Sequence, residues 1–214
     1  MEPSAPITDT KNVRRSFSLL FVFTLFLLPA SLLSGYEVRY AEQFYKLYHS
    51  NLYSYPSDFN ENIWYLEKAL SSDFANPLNA LARIDNPAEW ERYRYLFYMN
   101  VNLELVRQYR LIAAEYDKRT AYFYNSPWKG QNLESLEYAE SYYRAALFYW
   151  DEAVQWSSKA WDLRFIELER AHHWSDLSYR IEHYELDYGD IIGMDLTRLE
   201  EVRAAFQAMD SDTY

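Results

Sequence analysis

The chain has 214 residues, half of them apolar and a quarter charged, with a formal net charge of −11. Its four Gly, seven Pro, 22 Tyr and lack of Cys favour long uninterrupted helices; they exclude disulfides, cysteine-based zinc sites, thiol nucleophiles and a lipid-attachment box. So acidic a surface repels phosphate backbones, which disfavours nucleic-acid binding.

At the N-terminus, Lys11, Arg14 and Arg15 precede the apolar run Phe17–Leu28, broken only by Ser18 and Thr24, and Pro29 and several small residues follow through Gly35. This is the pattern of a secretory signal, cleaved after Ser34 or Gly35. Residues 16–33 are also just long enough to remain as an uncleaved membrane anchor. Under both readings the positive flank stays inside and the body is exported, as a periplasmic protein that is soluble or anchored in the inner membrane. Removing residues 1–35 takes away three basic and two acidic residues, so the body carries −12 instead of −11. The expected organisation is a signal or anchor over 1–35 and a single helical domain over 36–214.

Within the body, Ala41, Phe44, Tyr45, Tyr48 and Leu52 share one face at helical spacing over 36–53. SYPSDFN at 54–60 reads as a turn, and 63–72 as a second helix with Ile63, Leu66, Ala69 and Leu70 inward. A short helical piece is expected over 76–82. Asn86, Pro87 and Glu89 form a helix start, with Asn86 as cap and Pro87 where a missing N–H is harmless. No breaker follows before Asn125-Ser126-Pro127, which predicts a helix of about 38 residues, about 57 Å at 1.5 Å per residue. SPWKGQ at 126–131 reads as a loop, and a second long helix is expected from about 132 to 172. A break near Trp174-Ser175-Asp176 should let Ser175 cap a shorter helix that Tyr188-Gly189-Asp190 ends. Asp195 should cap a last helix to Met209, with a frayed end after it. No stretch shows sustained strand alternation. The expectation is all-α, built of long antiparallel helical hairpins.

The segment 139–156, AESYYRAALFYWDEAVQW, holds six aromatic residues. At 100° per residue, Ala139, Ala146, Ala153 and Ala160 fall on one narrow seam flanked by Tyr142, Tyr143, Leu147, Tyr149, Trp150 and Val154. A row of alanines admits a neighbouring helix closely, and the flanking aromatics close over the contact. Tyr143, Ala146, Trp150 and Ala153 are therefore read as packing determinants. Phe148 falls on the opposite, charged face, where it is either a tolerated surface aromatic or an anchor for another protein.

Ala139, Tyr143, Ala146 and Leu147 resemble the second helix of a tetratricopeptide repeat, with small, aromatic, small and large residues at offsets 0, 4, 7 and 8. Tyr65-Leu66-Glu67-Lys68-Ala69-Leu70, followed by Ser71–Pro77, resembles the closing segment of that repeat, although Phe74 stands where the family has proline. The resemblance implies hairpins stacked in a repeat-like array. EWERYRYLFYMN at 89–100 and EYDKRTAYFYN at 115–125, in an exported, tyrosine-rich helical chain, are similar to scaffold proteins of spirochaetal periplasmic flagellar motors. That resemblance implies a collar subunit touching other periplasmic or membrane-associated proteins.

Reactive chemistry finds little support. Glu169 and His172 make an E-x-x-H on a helix, the spacing of di-iron bundles, but the second copy that such a site needs is missing, since Lys46 precedes His49 and Arg180 precedes His183 at that spacing. Neither a phosphate loop, nor a nucleophile elbow, nor an H-E-x-x-H occurs. Adjacent acids such as Asp151-Glu152 diverge on a helix. We therefore expect no catalysis, no metal or other cofactor and no small-molecule substrate. Two functions remain: a scaffold for other proteins, with Phe148 and Trp128 as contact residues, or a cell-wall glycan binder using exposed aromatics such as Trp128 and Trp64.

Overall fold

A computed structural model describes residues 37–75 and 84–210. The signal or anchor at 1–35, the short helical piece at 76–82 and the last four residues lie outside the described residues. The first helix, α1 (Ala41–Ser54), begins where the Gln43 side-chain carbonyl accepts the backbone N–H groups of Arg39 and Tyr40. A tight turn leads to α2 (Phe59–Ser71), whose first-turn N–H at Glu61 is accepted by the Asp58 carboxylate. The Ala41 N–H returns to the carbonyl of Asp73 at 2.8 Å, which closes α1 and α2 into a hairpin. Phe44, Leu52 and Leu70 are only half-buried; the deeper positions are Ala41, Tyr45, Tyr48, Ile63, Leu66 and Ala69.

Helix α3 (Pro87–Tyr116) starts as its sequence dictates, with the Asn86 side chain accepting the Ala88 N–H at 2.9 Å and Pro87 in the first turn. It is 30 residues long and stops short of the expected end near 124. The cause is tertiary: the Asp117 carboxylate accepts the Tyr143 hydroxyl at 3.0 Å and both terminal nitrogens of Arg198, at 3.1 and 2.5 Å. Held there, Asp117 takes extended backbone and the chain turns back.

The expected loop at 126–131 is largely helical. A 3-10 turn, Phe123–Trp128, runs directly into α4 (Lys129–Asp162), so Pro127 lies just before a helix start, where its missing N–H costs little. α4 ends ten residues before the expected 172. No Gly or Pro marks the spot; the turn is held by the Arg92 guanidinium, which donates to the Ile166 carbonyl from α3. After a second 3-10 turn, Glu169–Ala171, α5 (His172–Glu182) begins ahead of Ser175, whose hydroxyl donates back to Ala171 instead of capping. Trp174 lies inside α5 and packs on Tyr45, Tyr93 and Phe97.

Tyr188-Gly189-Asp190 opens α6 (Tyr188–Ala208) where the sequence reading has it closing a helix. Asp187 is the cap, accepting the Asp190 N–H at 3.0 Å, and Asp195 is interior to the helix. Gly189 is required by close approach: a Cβ there would lie 2.9 Å from the indole nitrogen of Trp150. No β-strand occurs among the described residues, apart from the single bridge between Tyr40 and Asp73. The protein is all-α.

The core follows from the two faces of α3. Leu96, Met99, Leu103, Val106 and Ala113 face α4, α5 and α6, while Phe97, Val101, Leu105 and Ile112 face α1 and α2. Both sets recur at spacings of three, four or seven, as two apolar stripes on one helix require. α3 is thus the central rod, with α4 as its long neighbour and α6 laid along α4. From Val38 onward the chain forms a single unit.

Candidate functional site

Ala139, Ala146, Ala153 and Ala160 are essentially inaccessible, and Tyr143 and Trp150 are buried beside them. Val154, placed by the sequence reading at the edge of that seam, is exposed. Phe148 and Trp128 are both exposed, at 59% and 53%. Trp128 ends the 3-10 turn just before α4 and Phe148 lies 20 residues further on, along about 30 Å of helix at 1.5 Å per residue, so they belong to different surfaces.

Phe148 is not an isolated surface ring. It stands at the rim of a groove of about 380 Å³ formed where α4 crosses α3, with Leu70 of α2 at one side. Phe148, Glu152 and Trp156 recur every four residues on α4, and Tyr98 and Asn102 do so on α3, so each helix offers one stripe. The Phe148 ring meets Tyr149 edge-on at 5.2 Å, and Tyr149 stacks on Tyr109 at 5.4 Å. Both phenols donate to one carboxylate oxygen of Glu67, at 3.0 and 2.9 Å. Burial first, and then the Glu67 carboxylate, push the Tyr149 phenol up to about 12, so it stays a neutral donor. At the other end, Trp156 lies 4.7 Å from Tyr98, with the Lys159 ammonium 3.8 Å over its ring.

Asn102 lies among these rings. It is 2% exposed; its amide nitrogen donates to the Tyr98 carbonyl at 2.8 Å, while its side-chain oxygen is buried with no donor among the described residues. Such an acceptor is costly to leave unmet, and Arg94 and Glu152 add one charge of each sign to the lining. The groove therefore offers aromatic surface, one buried acceptor and a mixed-charge lining. Sequence reading singles out Phe148 but misses Tyr98, Asn102 and Trp156; the four-residue recurrence from Phe148 to Trp156 is the signal that could have found the last of them.

Trp128 ends a 3-10 turn that, with the residue before it, carries three further exposed aromatics. Tyr122 and Tyr124 stack at 5.3 Å and 8°, Phe123 meets Tyr124 edge-on, and all three are exposed. Lys129 ties this corner to the end of α6 by donating to the carbonyls of Gln207 and Met209, at 2.7 and 2.9 Å. Trp64 is exposed on α2, with its ring against Phe44 and Tyr65. Glu169 lies in a 3-10 turn, and the exposed His172 reaches Asp176 only at 4.0 Å. Among the described residues no cluster of three or more His, Asp or Glu is placed to hold a metal, and no helix is long and apolar enough to cross a membrane.

No curated protein and no solved structure matches the chain. One family model does match, over residues 88–209, a span that runs from α3 through α6 and leaves α1 and α2 outside. The match covers more than half of the chain, which therefore belongs to the family described as a domain of unknown function, DUF8513.

Proposed function

We propose that the protein is an exported, non-catalytic helical scaffold that holds other proteins in a periplasmic assembly, of the kind represented by the flagellar-motor collar. Its hairpins act in the manner of tetratricopeptide repeats, as stacked rods that present extended surface. The observation that carries this reading is the Phe148 groove. An exposed aromatic at its rim, a floor of Tyr98 and Trp156, and the buried Asn102 oxygen suit a partner segment that inserts one apolar side chain and donates one hydrogen bond. The Lys159 ammonium over Trp156 speaks against stacking of a sugar there, because it occupies one ring face.

Cross-linking in cells followed by pull-down from detergent extracts tests this directly. A partner captured by the wild type and lost with Phe148→Glu supports the scaffold; capture unchanged by the substitution removes the groove from the argument. The stacked, exposed Tyr122 and Tyr124, with Trp128 exposed at the end of the same turn, favour a second reading, a cell-wall glycan platform. Co-sedimentation with purified peptidoglycan separates the two, and binding to glycan alone would defeat the scaffold.

A further inference from the structure

We infer that the protein carries a binding site for a small oxyanion in a cavity between the C-terminal half of α3 and α6, distinct from the Phe148 groove. The cavity holds about 600 Å³, within the usual range for small-molecule sites. Arg107 and Arg110 reach it from α3, Arg119 from the turn beyond α3, and Arg198 from α6. Only Asp117 and Asp195 oppose them in the wall. Asp117 is fully engaged by Arg198 and the Tyr143 hydroxyl. Arg107 is paired with Glu104. Arg110 lies over the Tyr188 ring at 5.4 Å and has one long ionic contact, to Asp195 at 3.6 Å; its Nε is buried with no hydrogen-bond partner among the described residues. Arg119 is exposed and makes no ion pair or hydrogen bond with any described residue.

Four guanidinium groups thus meet three carboxylates, Glu104 included, and the two least satisfied cations face the same space. In a chain of net charge −11 this is a local reversal of sign, and a concave wall concentrates its field. Guanidinium groups recognise carboxylate and phosphate through paired N–H donors, which is the bonding that Arg110 and Arg119 have left. Leu111, 49% exposed at the same wall, gives the ligand's carbon skeleton an apolar contact. The ligand class is a small solute bearing carboxylate or phosphate groups. All nine wall residues lie inside the span that matches the family model.

Calorimetric titration of the full-length protein with malonate and, separately, with inorganic phosphate, at constant ionic strength set with chloride, tests the site. We expect saturable one-to-one binding of at least one ion, weakened at least tenfold in Arg119→Gln and in Arg110→Gln. Malonate alone would identify the source as a carboxylate, phosphate alone as a phosphoryl group, and both as a general oxyanion site. Arg119 has no partner to lose, so its variant keeps the fold if Arg110→Gln does not. Phosphate also stabilises proteins without a site, so binding that is unchanged in Arg119→Gln overturns the inference, as does the absence of saturable heat with both ions.

Discussion

The two faces of α3 are packed by different chemistry. On the α4 side the centre of the packing is apolar, with polar groups only toward its edges: alanines at 139, 146, 153 and 160 are buried, and Tyr143 and Trp150 are buried beside them. Against α1 and α2 the contact is aromatic and polar. Tyr48 donates to Glu104 at 3.0 Å, Asn100 to Tyr45 at 2.7 Å, and Asn62 receives from Asn51 and reaches Gln108 at 3.4 Å. A seam of small residues secures closeness but tolerates sliding, whereas each buried amide and phenol has one position in which its partners meet it. The family match covers the body and omits the polar hairpin. The hairpin, whose register is set by hydrogen bonds, is fastened to a body held by shape.

The largest test of that contrast is Phe97→Ala. Phe97 is fully buried, with Phe74 at 5.0 Å, Tyr45 at 5.3 Å and Trp174 at 5.9 Å around its ring. Truncation should cost about 3–5 kcal/mol, measured by urea denaturation. Hydrogen exchange should then show α1 and α2 losing protection well before α4. Equal loss in α4 would mean that hairpin and body open together, and the comparison would fail.

Ala146→Leu probes the opposite face and should have a smaller effect. Overpacking the seam should destabilise by roughly 1–3 kcal/mol, with loss of protection centred on α4 and α6 and little change in α1. Melting indistinguishable from wild type would mean that α3 and α4 part freely at this point and that closeness is not what holds them.

Much of this body is legible in the sequence, and the parts that are not share a cause. The inward stripe of α4 and the Asn86-Pro87 start follow from periodicity and capping, which are local. The ends of α3 and α4 are not local. Asp117 is held by Arg198 from 81 positions away, and Ile166 by Arg92 from 74; no breaker residue marks either place. Gly189 reads as a terminator because its true reason, the indole of Trp150, lies on another helix. The candidate sites divide in the same way. Phe148 stands out on its own helix, whereas Tyr98 and Asn102 become its neighbours only through the crossing of α3 and α4. Arg107, Arg110, Arg119 and Arg198 look individually like ordinary solvated helix charges.

The finest probe of the hairpin is pH. Glu42 is completely buried on α1; one carboxylate oxygen accepts the Ala75 N–H at 2.9 Å, and the other is buried without a partner among the described residues. Burial raises its pKa above the usual 4.5, and the Ala75 bond and Lys46 only partly offset that. The folded state thus binds the Glu42 proton more tightly than the unfolded chain does. The stability this contributes is fully present below about pH 4.5, the ordinary glutamate value, and is lost as pH rises through the folded pKa. Glu42→Gln keeps a carbonyl acceptor for Ala75 and removes the titration. The variant should therefore gain on wild type as pH rises from 4.5 to 7.5, read as diverging urea midpoints. Carboxylates held low, such as Glu140 between Arg203 and Arg144, act in the opposite direction but are common to both proteins and cancel in the difference. Midpoints that stay parallel across this range would show that Glu42 reaches water in solution, and that the polar hairpin is docked more loosely than its hydrogen bonds imply.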